Sequence, residues 1–342
     1  MAYTTINKST DYFNTKLYTG NATDNHTISG VGFQPDFLWI KDRGRNGYNH
    51  RLQNSVVGAT KSLQSNRNVT EQTNADAVKS FNSDGFVLGN DAGNGSFNGS
   101  SPFVAWNWKA NGAGSANTAG SINSTVSANT TSGFSIVSWQ GTDANATVGH
   151  GLSTAPSIVL YKTRGLNENW VVYNKDLGAN KFATLNTNGG STTSTAMFQN
   201  THPSDDVLYV GGNSANKNTT MIAYCFANIT GYSKHGTYVG SANASTGFVY
   251  TGFKPKFLMT VNTQSDSNWM MWDDVRNTFN PIDKWLHANG NDQEYTQTNS
   301  VNFLSNGFSF GITGHPNETE QYTYMCFGQS IVGSNNVPAT AR

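Results

Sequence analysis

The sequence contains few charged residues and no excess of either sign. Asp, Glu, Lys and Arg make up 12% of its 342 residues, about half the share of an ordinary domain. Lys plus Arg and Asp plus Glu number 21 each, so the formal net charge is zero. Phosphate binding needs a basic face, so this balance argues against a nucleic-acid partner. Uncharged Asn, Ser, Thr and Gly dominate instead, and such a surface responds little to ionic strength.

Long apolar runs and a basic leader are also missing. The longest apolar stretches, such as 37–40 and 221–226, fall far below the roughly 18 residues of a spanning helix. The start, MAYTTINKSTDYF, predicts neither a signal peptide nor a membrane anchor. Two cysteines, Cys225 and Cys326, cannot form the framework of a disulfide-rich scaffold. Because they occupy matching places in different repeats, we expect no bridge between them.

Catalytic and metal-binding patterns are scarce. The seven histidines show no zinc spacing, and no segment matches a P-loop or a nucleophile elbow, so we predict no cofactor and no metal. Glu318 and Glu320 alternate as a glycosidase acid pair would, but they lie in the polar segment GHPNETEQY, which indicates a solvated loop. Calcium stays open for two loops rich in Asn and Asp, 89–95 and 289–294, although neither matches an EF-hand.

The chain repeats itself three times. Pro35, Pro156 and Pro255 each precede an apolar run, and Ser83, Ser204 and Ser305 each precede a later strand-like run. Each repeat closes on an aromatic segment, in which Trp108, Phe226 and Phe327 correspond. Tyr48, Trp170 and Trp269 provide a further match in the middle of the repeats. Repeats of this length suit domains that each bury their own core.

The periodicity is that of short strands. The second repeat contains seven runs, FSIVSW, PSIVLYK, NWVVYN, KFATLN, TAMF, DVLYVG and TTMIAYCFAN, which is typical of an antiparallel β-sandwich. In NPIDKWLHANG, Asn280 and Pro281 predict the start of a short helix that Gly290 ends. The sequence therefore predicts an all-β protein of three tandem sandwich modules from an internal triplication. The modules are 1–110, 133–230 and 231–342 with a short C-terminal tail, and 111–132 forms a Gly/Ser/Asn/Thr-rich linker.

Tryptophans are the candidate ligand-binding residues. An exposed indole stacks on a sugar ring, while amides and carboxylates bind its hydroxyls. Most of the eight tryptophans occupy repeat-equivalent places that core packing explains. Trp272 and Trp285 lack aromatic counterparts in the other repeats, so we predict them as carbohydrate contacts.

The first repeat resembles a module of virion proteins from marine tailed phages. The matching segments are GFQPDFLWIK (32–41), SVVGA (55–59), SDGFVLG (83–89) and WNWKA (106–110). The second and third repeats match that pattern only at the landmarks given above. The resemblance implies jelly-roll or concanavalin-A-like β-sandwiches on the virion surface, without established catalysis and without catalytic residues to transfer.

Together these observations predict a non-enzymatic structural protein of a tailed-phage virion surface. It would be made in the host cytoplasm and dock to capsid or tail proteins, as a compact appendage or a head decoration. A carbohydrate-binding receptor that engages host glycans is the first alternative, and a glycan depolymerase is the second. Repeated modules can imitate an oligomer within one chain, so monomer and trimer both stay open.

Overall fold

The computed structural model describes residues 3–91, 95–330 and 332, and within them the regular secondary structure is almost entirely antiparallel β-strand, joined by turns and irregular segments. The C-terminal tail expected after the third module therefore lies mostly outside the described residues. Two short 3-10 helices, Ser9–Asp11 and Lys175–Leu177, accompany the strands. Both cysteines are buried and unpaired, as expected.

The first part of the chain forms one large sheet and one small sheet. Its strands are β1 (Phe13–Thr19), β2 (His26–Ser29), β3 (Phe37–Asp42), β4 (Arg51–Asn54), β5 (Gly58–Leu63), β6 (Gln72–Thr73), β7 (Val78–Asn82), β8 (Gly85–Leu88) and β9 (Pro102–Trp108). The large sheet, called the first sheet below, has the order β1-β9-β3-β4-β5-β6. The small sheet has the order β2-β8-β7.

The middle of the chain repeats this strand order. Its strands are β10 (Ser115–Asn117), β11 (Ser124–Asn129), β12 (Phe134–Gln140), β13 (Ala146–Gly149), β14 (Ile158–Thr163), β15 (Val171–Asn174), β16 (Lys181–Thr184), β17 (Thr192–Thr193), β18 (Val207–Val210) and β19 (Thr220–Phe226). The second sheet has the order β10-β11-β12-β19-β14-β15-β16-β17, and β13 pairs with β18 separately.

The last part forms one continuous sheet. Its strands are β20 (Ser233–Val239), β21 (Phe248–Tyr250), β22 (Lys254–Asn262), β23 (Met270–Asp273), β24 (Ile282–His287), β25 (Tyr295–Leu304), β26 (Gly307–Phe310) and β27 (Gln321–Gln329). The third sheet has the order β20-β27-β22-β23-β24-β25-β26-β21. The ten-residue strand β25 pairs with β24 near its start and with β26 near its end, so the sheet folds back over itself.

Each large sheet is apolar on both faces, because alternate side chains of its central strands point to opposite sides. One face packs against the segment's own small strands and forms a separate peripheral core. The other face contributes to a single central core shared by all three large sheets. Each segment therefore buries a core of its own, but the largest cluster is shared by all three segments.

Three aromatic residues at matching positions meet in the central core. Ring centroids of Trp108 and Phe226 lie 6.1 Å apart, those of Trp108 and Phe327 lie 5.7 Å apart, and those of Phe226 and Phe327 lie 5.6 Å apart. All three side chains are about 1% exposed. Edge-to-face packing at these distances is favourable beyond the area it buries. The closing strands β9, β19 and β27 thus converge on one aromatic triangle.

Hydrogen bonds at matching positions join each large sheet to the next, at what we call the three seams. A ring nitrogen of the residue just before β4, β15 and β23, respectively, bonds a backbone carbonyl of the neighbouring sheet. These pairs are His50 Nε2 with His287 O at 2.9 Å, Trp170 Nε1 with Gln64 O at 2.8 Å, and Trp269 Nε1 with Thr184 O at 3.0 Å. The position of Trp170 and Trp269 is therefore occupied by His50 in the first segment. The sequence match to Tyr48 was wrong by two residues.

A second set of hydrogen bonds lies at the ends of β4, β15 and β23. Asn54 Nδ2 donates to Tyr224 Oη at 3.0 Å, Asn174 Nδ2 donates to Thr323 Oγ1 at 2.7 Å, and Trp106 Nε1 donates to Asp273 Oδ2 at 3.0 Å. All six residues are buried. These contacts link first to second, second to third and third to first sheet, so the three sheets close a ring.

Bidentate ion pairs reinforce two of the seams. Arg164 pairs with Glu71 between the second and first sheets, and Arg43 pairs with Glu294 between the first and third. At the remaining seam Ser191 Oγ donates to the carbonyl of Thr263 at 2.8 Å. Paired guanidinium and carboxylate groups in partly buried places hold a fixed geometry.

Three local expectations differ from the structure. The proposed linker 111–132 carries β10 and β11, because its backbone pairs with β12 and Val126 is buried. The proposed helix after Pro281 is strand β24, which pairs with β23 and β25, so sheet pairing overrides the helix-start signal. The run TAMF (195–198) is turn rather than strand.

The buried charge at Asp273 yields a first prediction. Asp273 and Arg276 have fully buried side chains and form an ion pair of 2.6 Å. The other two segments have Asn54 and Asn174 at the position of Asp273. Changing Asp273→Asn should lower the free energy of unfolding by about 3 kcal/mol, because Arg276 keeps its charge and loses its nearest carboxylate. Urea denaturation measures this change. The double variant Asp273→Asn with Arg276→Met should recover most of the loss; equal instability of both variants would contradict the electrostatic cause.

A buried histidine yields a second prediction. His235 is 2% exposed, both ring nitrogens lack a hydrogen-bond partner within the described chain, and burial lowers its pKa to about 3. In the unfolded chain this histidine takes up a proton near pH 6.5, whereas in the folded chain it stays neutral. The free energy of unfolding therefore falls as the pH drops below 6.5. His235→Ile, which copies Ile136 at the matching place, should gain about 2 kcal/mol relative to the wild type between pH 7 and pH 5. Thermal denaturation across pH 4.5–8 measures this, and parallel curves for both proteins would refute it.

Candidate functional site

The structure separates the two tryptophans predicted as sugar contacts. Trp272 is fully buried in the third peripheral core, and its Nε1 donates to Ser300 Oγ at 3.1 Å. Its ring faces neighbouring side chains such as Phe310 and is closed to any ligand. The prediction for Trp272 was therefore wrong, because the absence of a repeat counterpart reflects a different core residue and not exposure.

Trp285 is half-buried on β24 and lies beside Tyr295 of β25. The two residues are direct cross-strand partners, and their rings stack with centroids 5.4 Å apart and planes 14° apart. Tyr295 is 36% exposed, so this pair, called the aromatic platform below, presents ring surface to solvent. Trp285 Nε1 also donates to His287 Nε2 at 3.2 Å, which fixes the indole.

His287 is held neutral, and this explains how it accepts that bond. Burial is the main cause that lowers the pKa of His287 to about 4, while Asp292 opposes the shift. A neutral imidazole has one nitrogen that accepts and one that donates. The platform therefore remains intact at neutral pH.

A row of side chains runs from the platform to a polar cleft. Leu286 points into the central core, so Trp285 and His287 lie on the opposite face of β24, and Asn289 follows in the turn after the strand. The cleft has a volume of about 340 Å³ and opens between the first and third sheets. Its lining consists of Asn49, Asn66, Arg67, Asn289, Gly290 and Asn291.

Hydrogen bonds preorganise the cleft walls. Asn66 Nδ2 donates to Asn49 Oδ1 at 2.7 Å, and its own Oδ1 accepts from the backbone of His50. Asn289 repeats the arrangement, with Asn268 and the backbone of Trp269 as partners. Arg67 and Asn291 are exposed at the cleft, so these two side chains are positioned to meet a ligand.

Contacts between loops hold the two halves of the cleft together. Gly47 N donates to the carbonyl of Asn291 at 2.9 Å, and Gln293 N donates to Asn46 Oδ1 at 2.8 Å. Gly47 adopts a φ of 85°, which favours glycine over any residue with a side chain. The Arg43–Glu294 pair closes the same seam, so the cleft rests on rigid neighbours.

Two charged groups lie close to this region. Lys41 is fully buried, its Nζ donates to the carbonyl of Asp42 at 2.7 Å, and burial lowers its pKa to about 8. Asp292 acts electrostatically on Lys41, His287 and Tyr295. The cleft itself is lined by carboxamides and one guanidinium, which are hydrogen-bonding groups suited to hydroxyls.

The other candidate sites gain no support. Hydrogen bonds from Ser265 and Asn262 lower the pKa of Glu320, the opposite of what a general acid needs. Burial raises the pKa of the Cys225 thiol to about 12, so it is not reactive. Among the described residues no three His, Cys, Asp or Glu side chains cluster as metal ligands.

The two proposed calcium loops also use their carboxylates internally. Asp91 Oδ2 accepts from the backbones of Phe97 and Asn98, while residues 92–94 of that loop lie outside the described residues. In the loop 289–294, Glu294 binds Arg43 and Arg276. A carboxylate neutralised by two guanidinium groups is a poor calcium ligand.

The sequence singled out Trp285 and, as a possible calcium loop, residues 289–294, but it did not point to Tyr295 or to the cleft residues Asn49, Asn66 and Arg67. Asn49, Asn169 and Asn268 each directly precede the ring residue of a seam. This repeated Asn–ring pair is the sequence pattern that could have located the cleft residues. Tyr295 carried no such signal, because only strand pairing places it beside Trp285.

Comparisons with known proteins identify the family without assigning an activity. No helix in the described ranges is long and apolar enough to span a membrane. Neither a curated protein nor a solved structure matches the chain. One family model matches residues 8–330, almost the entire chain. The protein therefore belongs to the family described as Domain of unknown function (DUF7483).

Proposed function

We propose that the chain is an internal triplication whose three concanavalin-A-like modules act together as a non-enzymatic structural protein on the surface of a tailed-phage virion. The main observation in support is the aromatic triangle of Trp108, Phe226 and Phe327, in which residues at equivalent positions of the three repeats meet in the central core. A ring closed by buried contacts on every side is a rigid body suited to structural work. The phage setting follows from the resemblance of residues 32–110 to virion modules.

The seams fit a protein that must persist outside a cell. Most seam bonds join neutral, buried groups such as Asn54 with Tyr224 and Asn174 with Thr323, and salt does not screen neutral pairs. The buried, unpaired cysteines fit synthesis in a reducing host cytoplasm. The protein would be made there and carried on the finished particle.

The exposed aromatic side chains of an edge strand support docking to capsid or tail proteins. In the second segment, the edge strand β13 is covered by residues 121–122, whose backbone bonds Thr147. The matching strand β21 ends the third sheet and exposes Phe248 by 48% and Tyr250 by 53%. Exposed apolar strand edges invite pairing with another chain.

The composition of purified particles tests the proposal. Quantitative mass spectrometry should find the protein in virions; a copy number like that of the major capsid protein would indicate shell decoration, and a small number would indicate a tail or vertex appendage. Absence from washed particles would overturn the virion assignment.

The exposed edge gives a matching prediction. Phe248→Lys combined with Tyr250→Lys should reduce the copies bound per particle at least tenfold, because a charge must be desolvated when the edge is covered. Thr27→Lys, at the exposed matching position of β2, is the control and should bind as the wild type does. Melting temperatures establish that all variants fold, and equal incorporation of all three proteins would exclude this edge as the docking surface.

A further inference from the structure

We infer that the cleft between the first and third sheets, together with the aromatic platform, binds a neutral oligosaccharide. This activity goes beyond docking and does not depend on where the protein resides. The two parts of the site supply complementary chemistry: the cleft offers polar groups, and the platform offers apolar ring surface.

The cleft matches the hydroxyl-rich edge of a sugar. A carboxamide presents a donor and an acceptor together, and a guanidinium presents donors in a fixed fork. Arg67 and Asn291 are exposed there, and Asn49 lines the cleft with its Oδ1 accepting from Asn66 Nδ2. A volume of about 340 Å³ lies within the range of ligand clefts and accommodates one or two sugar units.

The wall residues are held before any ligand arrives. In both Asn66 and Asn289, the carboxamide oxygen accepts a hydrogen bond from a backbone amide, and the carboxamide nitrogen donates one to a second Asn. Side chains fixed in this way lose little conformational freedom on binding, so the bonds formed to a ligand are retained as affinity.

The charge of the region favours an uncharged ligand. Arg67 is the one cation that lines the described cleft, and the Asp292 carboxylate lies beside Gly290 of the lining. Positive and negative charge therefore both border the cleft, so neither an acidic nor a basic sugar gains a clear electrostatic advantage. Recognition therefore rests on hydrogen bonds from neutral groups.

The platform extends the site along the strand. Trp285 and His287 share one face of β24, on which alternate residues are about 7 Å apart, and Asn289 of the cleft follows two residues later in the turn. An oligosaccharide with one unit in the cleft thus reaches the Trp285–Tyr295 rings with a later unit. A polysaccharide chain of several units, rather than a single sugar, is the ligand that uses both parts.

Titration of the purified protein with defined sugars tests the inference. The probes are neutral hexasaccharides of glucose, galactose, mannose and N-acetylglucosamine, together with their disaccharides, followed by isothermal calorimetry and ligand-observed NMR. At least one hexasaccharide should bind saturably with a Kd of about 1 mM or tighter. Failure of every neutral probe to bind at about 10 mM would overturn the inference.

Variants locate the binding. Arg67→Ala and Asn291→Ala should each weaken hexasaccharide binding at least tenfold, whereas Asn188→Ala, in the matching exposed loop of the second sheet, should leave it unchanged. Tyr295→Ala should weaken binding of the hexasaccharide but not of the disaccharide, because only the longer ligand reaches the platform.

Binding that survives both cleft variants would place the sugar elsewhere and overturn the assignment. Preference for an anionic probe, heparin hexasaccharide, would overturn it in favour of a charged ligand. Because purified protein is used, these results stand whether or not virions contain it.

Discussion

The fold depends on the contact of three aromatic side chains, Trp108, Phe226 and Phe327. Each lies in the last residues of the closing strand of one segment, and each packs against the other two with ring centroids 5.6–6.1 Å apart. Sheets with two apolar faces need cover on both sides, and small strands cover only one face here. The triangle marks the place where the remaining faces cover one another. Without this contact between the sheets, each large sheet would expose one complete apolar face to water.

The hydrogen bonds at the seams fix how the three sheets are aligned around the central core. Apolar contact alone tolerates sliding, whereas a buried donor left without its acceptor is costly, which fixes the register of the sheets. Ring nitrogens of His50, Trp170 and Trp269 each find a carbonyl on the next sheet. The same bonds bring residues 46–49 beside residues 289–293, so the geometry of the candidate cleft is a by-product of ring closure.

The sequence predicted the strand content and the repeated landmarks because both are local patterns. Alternating runs identified β12, β14, β15, β16, β18 and β19, and the matching prolines and aromatics located equivalent strands. It could not predict the shared core, because alternation shows that a face is apolar but not what covers it. The helix expected after Pro281 failed for the same reason: pairing with β23 and β25 decides that segment. Trp272 and Trp285 looked alike in sequence, and only the packing around Ser300 and Tyr295 separates them.

Building the ring from one polypeptide has a consequence for valency. Three identical subunits would carry three identical edges, and any adhesive edge would appear three times. Here the edge strands differ: β2 exposes Thr27 and Ser29, β13 is covered by residues 121–122, and β21 exposes aromatic rings. Docking through β21, as proposed above, would attach the protein through one sector and in one orientation, without cross-linking its neighbours through that edge.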